Sequence, residues 1–178
     1  MPTNLSKVQK KITKKKGGII SLHENSRDAQ KIRRASVRSS KLEKLAAARS
    51  KAHQPLLERV SYFQEAAEAA RDPVSMEKIQ LLIQSYLNRD NEELLQLKAE
   101  RRPGRPSSTK EDLLRQRVEV EEREYSAGYW IPDMGDEKNL AALKGWSGEW
   151  ENLNILKFIR VTKGGKKAES SFPPKGKS

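Results

Sequence analysis

Residues 55–71, PLLERVSYFQEAAEAAR, decide the fold class. Leu56, Leu57, Val60, Phe63 and Ala67 recur at the three- and four-residue spacing of one helix face. Pro55 suits a first helical turn, and Asp72-Pro73 ends the pattern. The chain downstream keeps the same period. Ser75 stands as an N-cap with Val74 and Ile79 placed as a hydrophobic staple, and Met76, Ile79, Leu82/Ile83 and Tyr86/Leu87 share one face. Asp90 with Glu93 reads as a capping box for a short helix bearing Leu94, Leu95 and Leu97. Ser108 with Glu111 reads as a second box, opening a helix with Leu114, Val118 and Tyr125 on one stripe, Gly128 at C′ and a mostly acidic outer face from Glu119 to Glu124.

Beyond Gly128 the character changes. Tyr129-Trp130-Ile131-Pro132-Asp133 is aromatic and held extended by its proline. Asp136 caps a short helix through Leu140 and Leu143, stopped by Gly145. The apolar run from Leu153 to Val161 fits neither period, and the extended form is the one expected. The expectation is a mainly α protein: a small helical bundle with a long basic N-terminal helix, an extended C-terminal arm and disordered basic tails.

Charge divides the chain. Of 178 residues, 36 are Lys or Arg and 24 are Asp or Glu, a net charge of +12. Residues 1–53 hold 15 cations against Glu24, Asp28 and Glu43. Residues 163–178 hold five lysines against Glu169, so 54–162 is slightly acidic, with 16 cations and 20 anions. The expected organisation is a disordered basic tail (1–22), a basic helix (23–53), a helical body with an aromatic arm (54–162) and a second disordered basic tail (163–178). The body is long enough for one small core. The tails hold too few apolar groups to offset ordering entropy.

Several classes of function fall away. With no Cys, disulfides, thiolate metal sites and Cys nucleophiles are excluded, and His23 and His53 are too few for a His-rich metal centre. No apolar run approaches a membrane span, and the first 22 residues lack both Arg and a secretory apolar core, so a soluble intracellular protein is expected. No Gly-rich phosphate loop follows a strand. His23 stands far from Asp133, Asp136 and Glu137, which read better as turn and cap residues. A non-enzyme without cofactor, metal or small-molecule substrate is expected.

The N-terminal helix, expected from Ser26 to about Lys51, carries Arg27, Lys31, Arg34, Arg38 and Lys41 at intervals of four, three, four and three, one cationic stripe beside a thin stripe of Ile32, Ala35, Ser39, Leu42 and Ala46. Such a face contacts phosphates, giving salt-dependent affinity without base specificity. Candidate RNA-binding residues are these five, His23 at the helix start, Lys10, Lys11, Lys14, Lys15 and Lys16 in the tail, and Arg101, Arg102 and Arg105 around Pro103-Gly104. The basic runs also suit a solubilising tail or a nuclear address. The Arg101–Pro106 loop resembles an AT-hook, but Pro103 stands where one groove-inserting Arg belongs, which favours a turn between helices. Arg33-Arg34-Ala35-Ser36 resembles a basophilic kinase site, where phosphate would add negative charge beside the stripe. Tyr129, Trp130, Ile131, Trp146 and Trp150 have two readings, completion of the core or a protein-docking surface.

Three blocks carry a resemblance. His23, Ser26, Arg27, Ala29 and Gln30 in LHENSRDAQKIRRA, Tyr86-Leu87-Asn88-Arg89 with Glu93-Leu94, and Gly128 with Ile131-Pro132-Asp133 and a downstream Trp are similar to motifs of the translation machinery-associated protein 16 family, in the same order. One departure is Glu24, where the family often has proline after the His. The resemblance implies a largely helical, non-catalytic nuclear factor of the nucleolus and nucleoplasm, binding rRNA and ribosomal proteins of the precursor large subunit. A monomer without membrane contact is expected. The alternatives are a DNA-associated chromatin protein using the AT-hook-like loop and a nuclear protein–protein adaptor.

Overall fold

The computed structural model describes residues 4–16, 22–70, 72–102 and 104–174. Gly17, Gly18, Arg71, Pro103 and Lys175 to Ser178 lie outside these. The chain divides into two compact units, Met1–Pro55 and Leu56–Ser178. The division separates charge as well. The first unit holds 15 cations and three anions, whereas the second holds 21 of each.

The N-terminal unit contains α1 (Leu5–Lys16) and the first half of α2 (Arg27–Glu68). The helical α1 corrects the expectation of a disordered tail for these residues. Leu5, Val8 and Ile12 fall at i, i+3 and i+7, a short apolar stripe, and Val8 and Ile12 are buried. A second correction concerns Pro55, which lies inside α2 instead of opening a new helix. A proline there removes one backbone hydrogen bond and crowds the carbonyl four residues back, at about 3 kcal/mol. The buried Val60, Phe63 and Ala67 that follow it offset this.

The C-terminal unit begins with the rest of α2 and continues with α3 (Met76–Leu87), a 3₁₀ turn (Asn88–Asp90), α4 (Asn91–Glu100) and α5 (Thr109–Ala127). Then come β1 (Tyr129–Pro132), α6 (Glu137–Lys144), a second 3₁₀ turn (Glu151–Ile155), β2 (Phe158–Val161) and β3 (Lys167–Ser170). Helix predominates, as expected, but the extended segments form an antiparallel sheet ordered β1-β2-β3, so the unit is not purely a bundle. Ile131 sits opposite Ile159, and Ile159 opposite Glu169.

Capping follows the sequence in most places. Ser108 Oγ accepts from the Glu111 N–H (3.1 Å) and Asp136 from the Lys138 N–H (3.1 Å), while Gly145 ends α6. Gly128 ends α5 at φ 139°, where a side chain would be strained and a Cβ would lie 3.2 Å from that of Arg160. Ser75 and Asp90 stand at N-cap positions without a side-chain cap bond. Asp90 follows α3 with almost no break, and its carboxylate faces Arg89 (3.7 Å) and Arg117 (3.6 Å) instead.

The core gathers around β1, which is buried along its whole length. Phe63 and Ile83 reach it from α2 and α3, Leu143 from α6 and Ile159 from β2. Trp130 stacks on Phe158 with ring centroids 4.2 Å apart. Asn139 ties the strand ends together, donating to the Asp133 and Lys157 carbonyls (2.6 and 3.0 Å) and accepting from the Lys157 N–H (2.7 Å).

The segment expected as a second disordered tail supplies β3, and Phe172 beyond it lies 4.7 Å from Trp150 and 5.9 Å from Phe158, centroid to centroid. Phe172→Ala should therefore lower stability by about 1 kcal/mol, the scale of one aromatic pair. Denaturant titration of the variant checks this; an unchanged midpoint would mean that the tail contributes nothing to the core.

Candidate nucleic-acid interface

The start of α2 explains the first sequence block. His23 Nδ1 accepts from the Asn25 N–H (3.3 Å), its carbonyl accepts from the Ser26 N–H (2.9 Å), and Ser26 Oγ accepts from the Ala29 N–H (3.2 Å). His23 thus builds the turn and Ser26 caps the helix. His23 is also exposed. Glu24, the departure from the family pattern, reaches Arg33 at 3.8 Å in an exposed pair, worth little in water.

From this cap the helix presents the stripe. Arg27, Lys31, Arg34, Arg38 and Lys41 are all exposed, and none makes an ion pair with a described carboxylate. The fourteen steps from Arg27 to Lys41 cover about 21 Å of helix axis. Residues 40–52 are exposed on every side of the helix, and Val37 and Leu42 stand 66% and 60% exposed. A helix with so little to bury is marginal alone. On its first four turns the fixed charges stand ready for a polyanion.

The other candidate cations are placed differently. Lys10, Lys11, Lys14 and Lys15 are exposed on α1; Lys16 closes that helix, and its side chain lies outside the described groups. Arg102 and Arg105 flank a turn in the C-terminal unit, where the Arg105 N–H donates to the Arg102 carbonyl (3.1 Å) and Gly104 takes φ 82°. Arg101 is committed elsewhere. Its guanidinium donates to both oxygens of buried Glu111 (3.2 and 3.4 Å), a structural role as partner of that carboxylate that the sequence does not signal. Ser36, the kinase-site serine, is exposed on α2.

The aromatic candidates resolve toward the core. Tyr129, Trp130 and Ile131 are sealed from solvent, and Trp146 is buried with its indole N–H donating to the Glu149 carbonyl (3.0 Å). These four therefore have no surface to offer a docking partner. Trp150 is half-buried against Phe172.

Two ion pairs that the sequence reading missed involve Arg89 of the second block and the strand of the third. Arg89 of the Tyr-Leu-Asn-Arg motif grips Glu121 with two bonds of 2.8 Å, donates to the Tyr86 carbonyl (2.6 Å) and lies over the Tyr86 ring. Arg59 does the same with Glu124 (2.7 and 2.8 Å), donates to the Trp130 carbonyl (3.3 Å) and sits 4.0 Å from the Tyr129 ring centroid. Glu121 and Glu124 were expected on an acidic outer face. Burial is the strongest single influence on Arg59 and opposes its charge, but the bond to Glu124 and the attraction of Tyr129, Glu124 and Glu121 together outweigh it and hold the guanidinium above its ordinary value. The partners lie 32 and 65 residues apart, so no local spacing signals them.

Burial also pushes the Tyr129 phenol well above its ordinary value, although Arg59 opposes the shift. Above about pH 10 the unfolded chain ionises this phenol and the folded chain does not, so stability falls as pH rises. The contribution is about 1.4 kcal/mol per pH unit. Tyr129→Phe should flatten that alkaline limb in unfolding titrations, with little cost at neutral pH because the hydroxyl has no described partner. An unaltered limb would place its origin elsewhere.

Among the described residues no cluster of three metal-ligating side chains occurs, and no helix is long and apolar enough to cross a membrane.

Comparison with known proteins gives one consistent result. The model of the family described as translation machinery-associated protein 16 matches residues 19–163. A Saccharomyces cerevisiae protein of that name is 37% identical over 168 residues, covering 89% of this chain and 90% of the relative. A Bos taurus protein of the same name is 30% identical over 145 residues, covering 79% and 71%. A Xenopus tropicalis one is 25% identical over 166 residues, covering 90% and 80%. The matched span takes in all three sequence blocks, the capped start of α2, Arg89 with Glu121, and the buried strand after Gly128, and the chain belongs to the translation machinery-associated protein 16 family.

Proposed function

We propose that this protein is a non-catalytic assembly factor that binds rRNA and ribosomal proteins of the precursor large ribosomal subunit in the nucleus. The family name supports association with the translation machinery. The observation that carries the RNA contact is the stripe of five exposed cations on α2, free of described carboxylate partners, in a unit that holds the entire net charge. Stripe and α1 lysines supply phosphate contacts that fix position on a folded RNA without reading its sequence. The lysine run of α1 also serves as the nuclear address in this reading. The DNA-associated alternative is weaker, because Arg101 is held by Glu111 and Pro103 already replaces one groove-inserting arginine.

Ultraviolet crosslinking of the tagged protein, followed by gradient sedimentation, tests the proposal. Crosslinked peptides from residues 27–41 bearing large-subunit rRNA are expected in the precursor fractions. Co-sedimentation without any rRNA crosslink would make it a protein-bound adaptor, and crosslinks to DNA would favour the chromatin reading.

A further inference from the structure

The C-terminal unit carries a cleft of about 360 Å³ between α3 and α5, lined by Gln84, Leu87 and Asn88 on one side, Glu122 and Tyr125 on the other, and Lys163 from the turn between β2 and β3. The turn is fixed in place. The Lys163 N–H donates to the Tyr125 carbonyl (3.2 Å), and the Gln80 amide donates to the Lys163 carbonyl (3.3 Å). Inside the turn, Thr162 pairs with Lys166 through its N–H (3.1 Å) and its hydroxyl (3.2 Å), while Gly165 takes φ 77°.

The cleft holds unused hydrogen-bonding capacity. Tyr125 is 5% exposed and its hydroxyl, sealed from solvent, has no described partner, so the residue lines the cleft without offering that hydroxyl to it. Such a buried orphan calls for a physical account. The Glu122 carboxylate, the Gln84 amide and the Lys163 ammonium make no described hydrogen bond or ion pair. Asn88 uses its carbonyl to accept from Asn91 (3.0 Å), which leaves its NH₂ group to donate. The set a ligand can reach is thus a carboxylate, an amide donor and a lysine, with the apolar Leu87 in the same lining.

Those groups suit one base. Guanine presents two adjacent donors, N1–H and the N2 amine, beside the acceptor O6; the donors suit a carboxylate and O6 suits an amide donor such as that of Asn88. Adenine offers a donor beside an acceptor and cannot pair with a carboxylate in this way. Unpaired RNA bases are read on this edge, with a cation left for the phosphate. We infer that the cleft between α3 and α5 binds the guanine base of an unpaired nucleotide, with Glu122 as the discriminating acceptor and Lys163 on its phosphate. The inference rests on the RNA-binding reading for its biological source, but the base contact stands apart from the stripe.

The test uses the full chain and labelled oligouridylates carrying one central guanosine, adenosine or inosine at matched salt. The guanosine oligomer should bind roughly tenfold tighter than the adenosine one, with inosine, which lacks the N2 amine, between them. Glu122→Gln should abolish the preference, bringing the guanosine and adenosine oligomers to the same affinity, with the melting midpoint unchanged. Asn88→Ala, which removes the amide donor to O6, should reduce the preference several-fold. Free GMP, and not AMP, should shift the Leu87 methyl resonances, which reads the cleft without any phosphate chain. Equal oligomer affinities, a preference that survives Glu122→Gln, or no GMP shift overturns the inference. Loss of binding to all three oligomers alike in a variant lacking the α2 stripe bears on the rRNA reading alone, because the GMP shift is then still expected.

Discussion

Trp130→Ala should destabilise the C-terminal unit by about 3–5 kcal/mol, the range for removing a buried large aromatic side chain. The melting midpoint should fall by roughly 10–20 °C for a unit of this size. The expectation rests on position. Trp130 is 1% exposed, stacks on Phe158 and lies in the middle of the buried strand β1. Its backbone is tied to the second ion pair as well, the N–H donating to Glu124 (3.3 Å) and the carbonyl accepting from Arg59 (3.3 Å). Alanine keeps those two bonds and opens a cavity between β1 and β2, so the loss reports packing alone. Below its midpoint the variant should retain the wild-type salt slope for RNA, since α2 carries the stripe. An unchanged midpoint with weakened particle binding would return Trp130 to the role of a docking residue.

Much of this fold is legible in local sequence, because capping and helical period are local physics. Ser108, Asp136, Gly128 and Gly145 mark element ends through backbone groups within four residues, and each does so in the structure. What escapes is decided at a distance. The apolar run from Leu153 to Val161 has no period because it divides into a 3₁₀ turn and a strand, and the strand exists only because β1 and β3 pair with it from either side. Lys167 to Ser170 looks like tail for the same reason. Its residues are polar and mostly exposed, and only the ladder to Phe158–Val161 orders them. Pro55 misleads in the opposite sense. Local rules end a helix there, while burial of the residues after it carries α2 through.

The candidate site divides along the same line. The stripe on α2 is readable from spacing because its meaning is a single helix face. Arg101 reads in the sequence as a candidate phosphate contact, yet Glu111 occupies it. Glu121 and Glu124 read as an outer acidic face, yet each anchors an arginine from outside α5, Arg89 of the first 3₁₀ turn and Arg59 of α2. A charge therefore remains available to a partner only where no distant opposite charge has claimed it, and the stripe meets that condition among the described residues.

Replacing Arg27, Lys31, Arg34, Arg38 and Lys41 with Gln should lower the slope of log K against log salt by about four, at roughly 0.7–0.9 for each phosphate no longer neutralised. Gln keeps the helical length and polarity, so circular dichroism should be unchanged and the loss belongs to charge. The comparison set is Arg33, Lys44 and Lys51, which at about 100° per residue lie on one flank of α2, roughly 100–120° round the axis from the centre of the stripe. Arg49 is left out, since eight residues beyond Lys41 it returns to the edge of the stripe. If the stripe lies along an RNA backbone, each of its cations neutralises close to one phosphate, and those of the comparison set contribute only a screened field that adds little per charge. Equal slope changes per charge from the two sets would mean that α2 acts through net positive potential and that its four-three spacing is accidental. A slope unchanged by the stripe substitutions would move the phosphate-binding role to α1, where Lys10, Lys11, Lys14 and Lys15 are the next cations to remove.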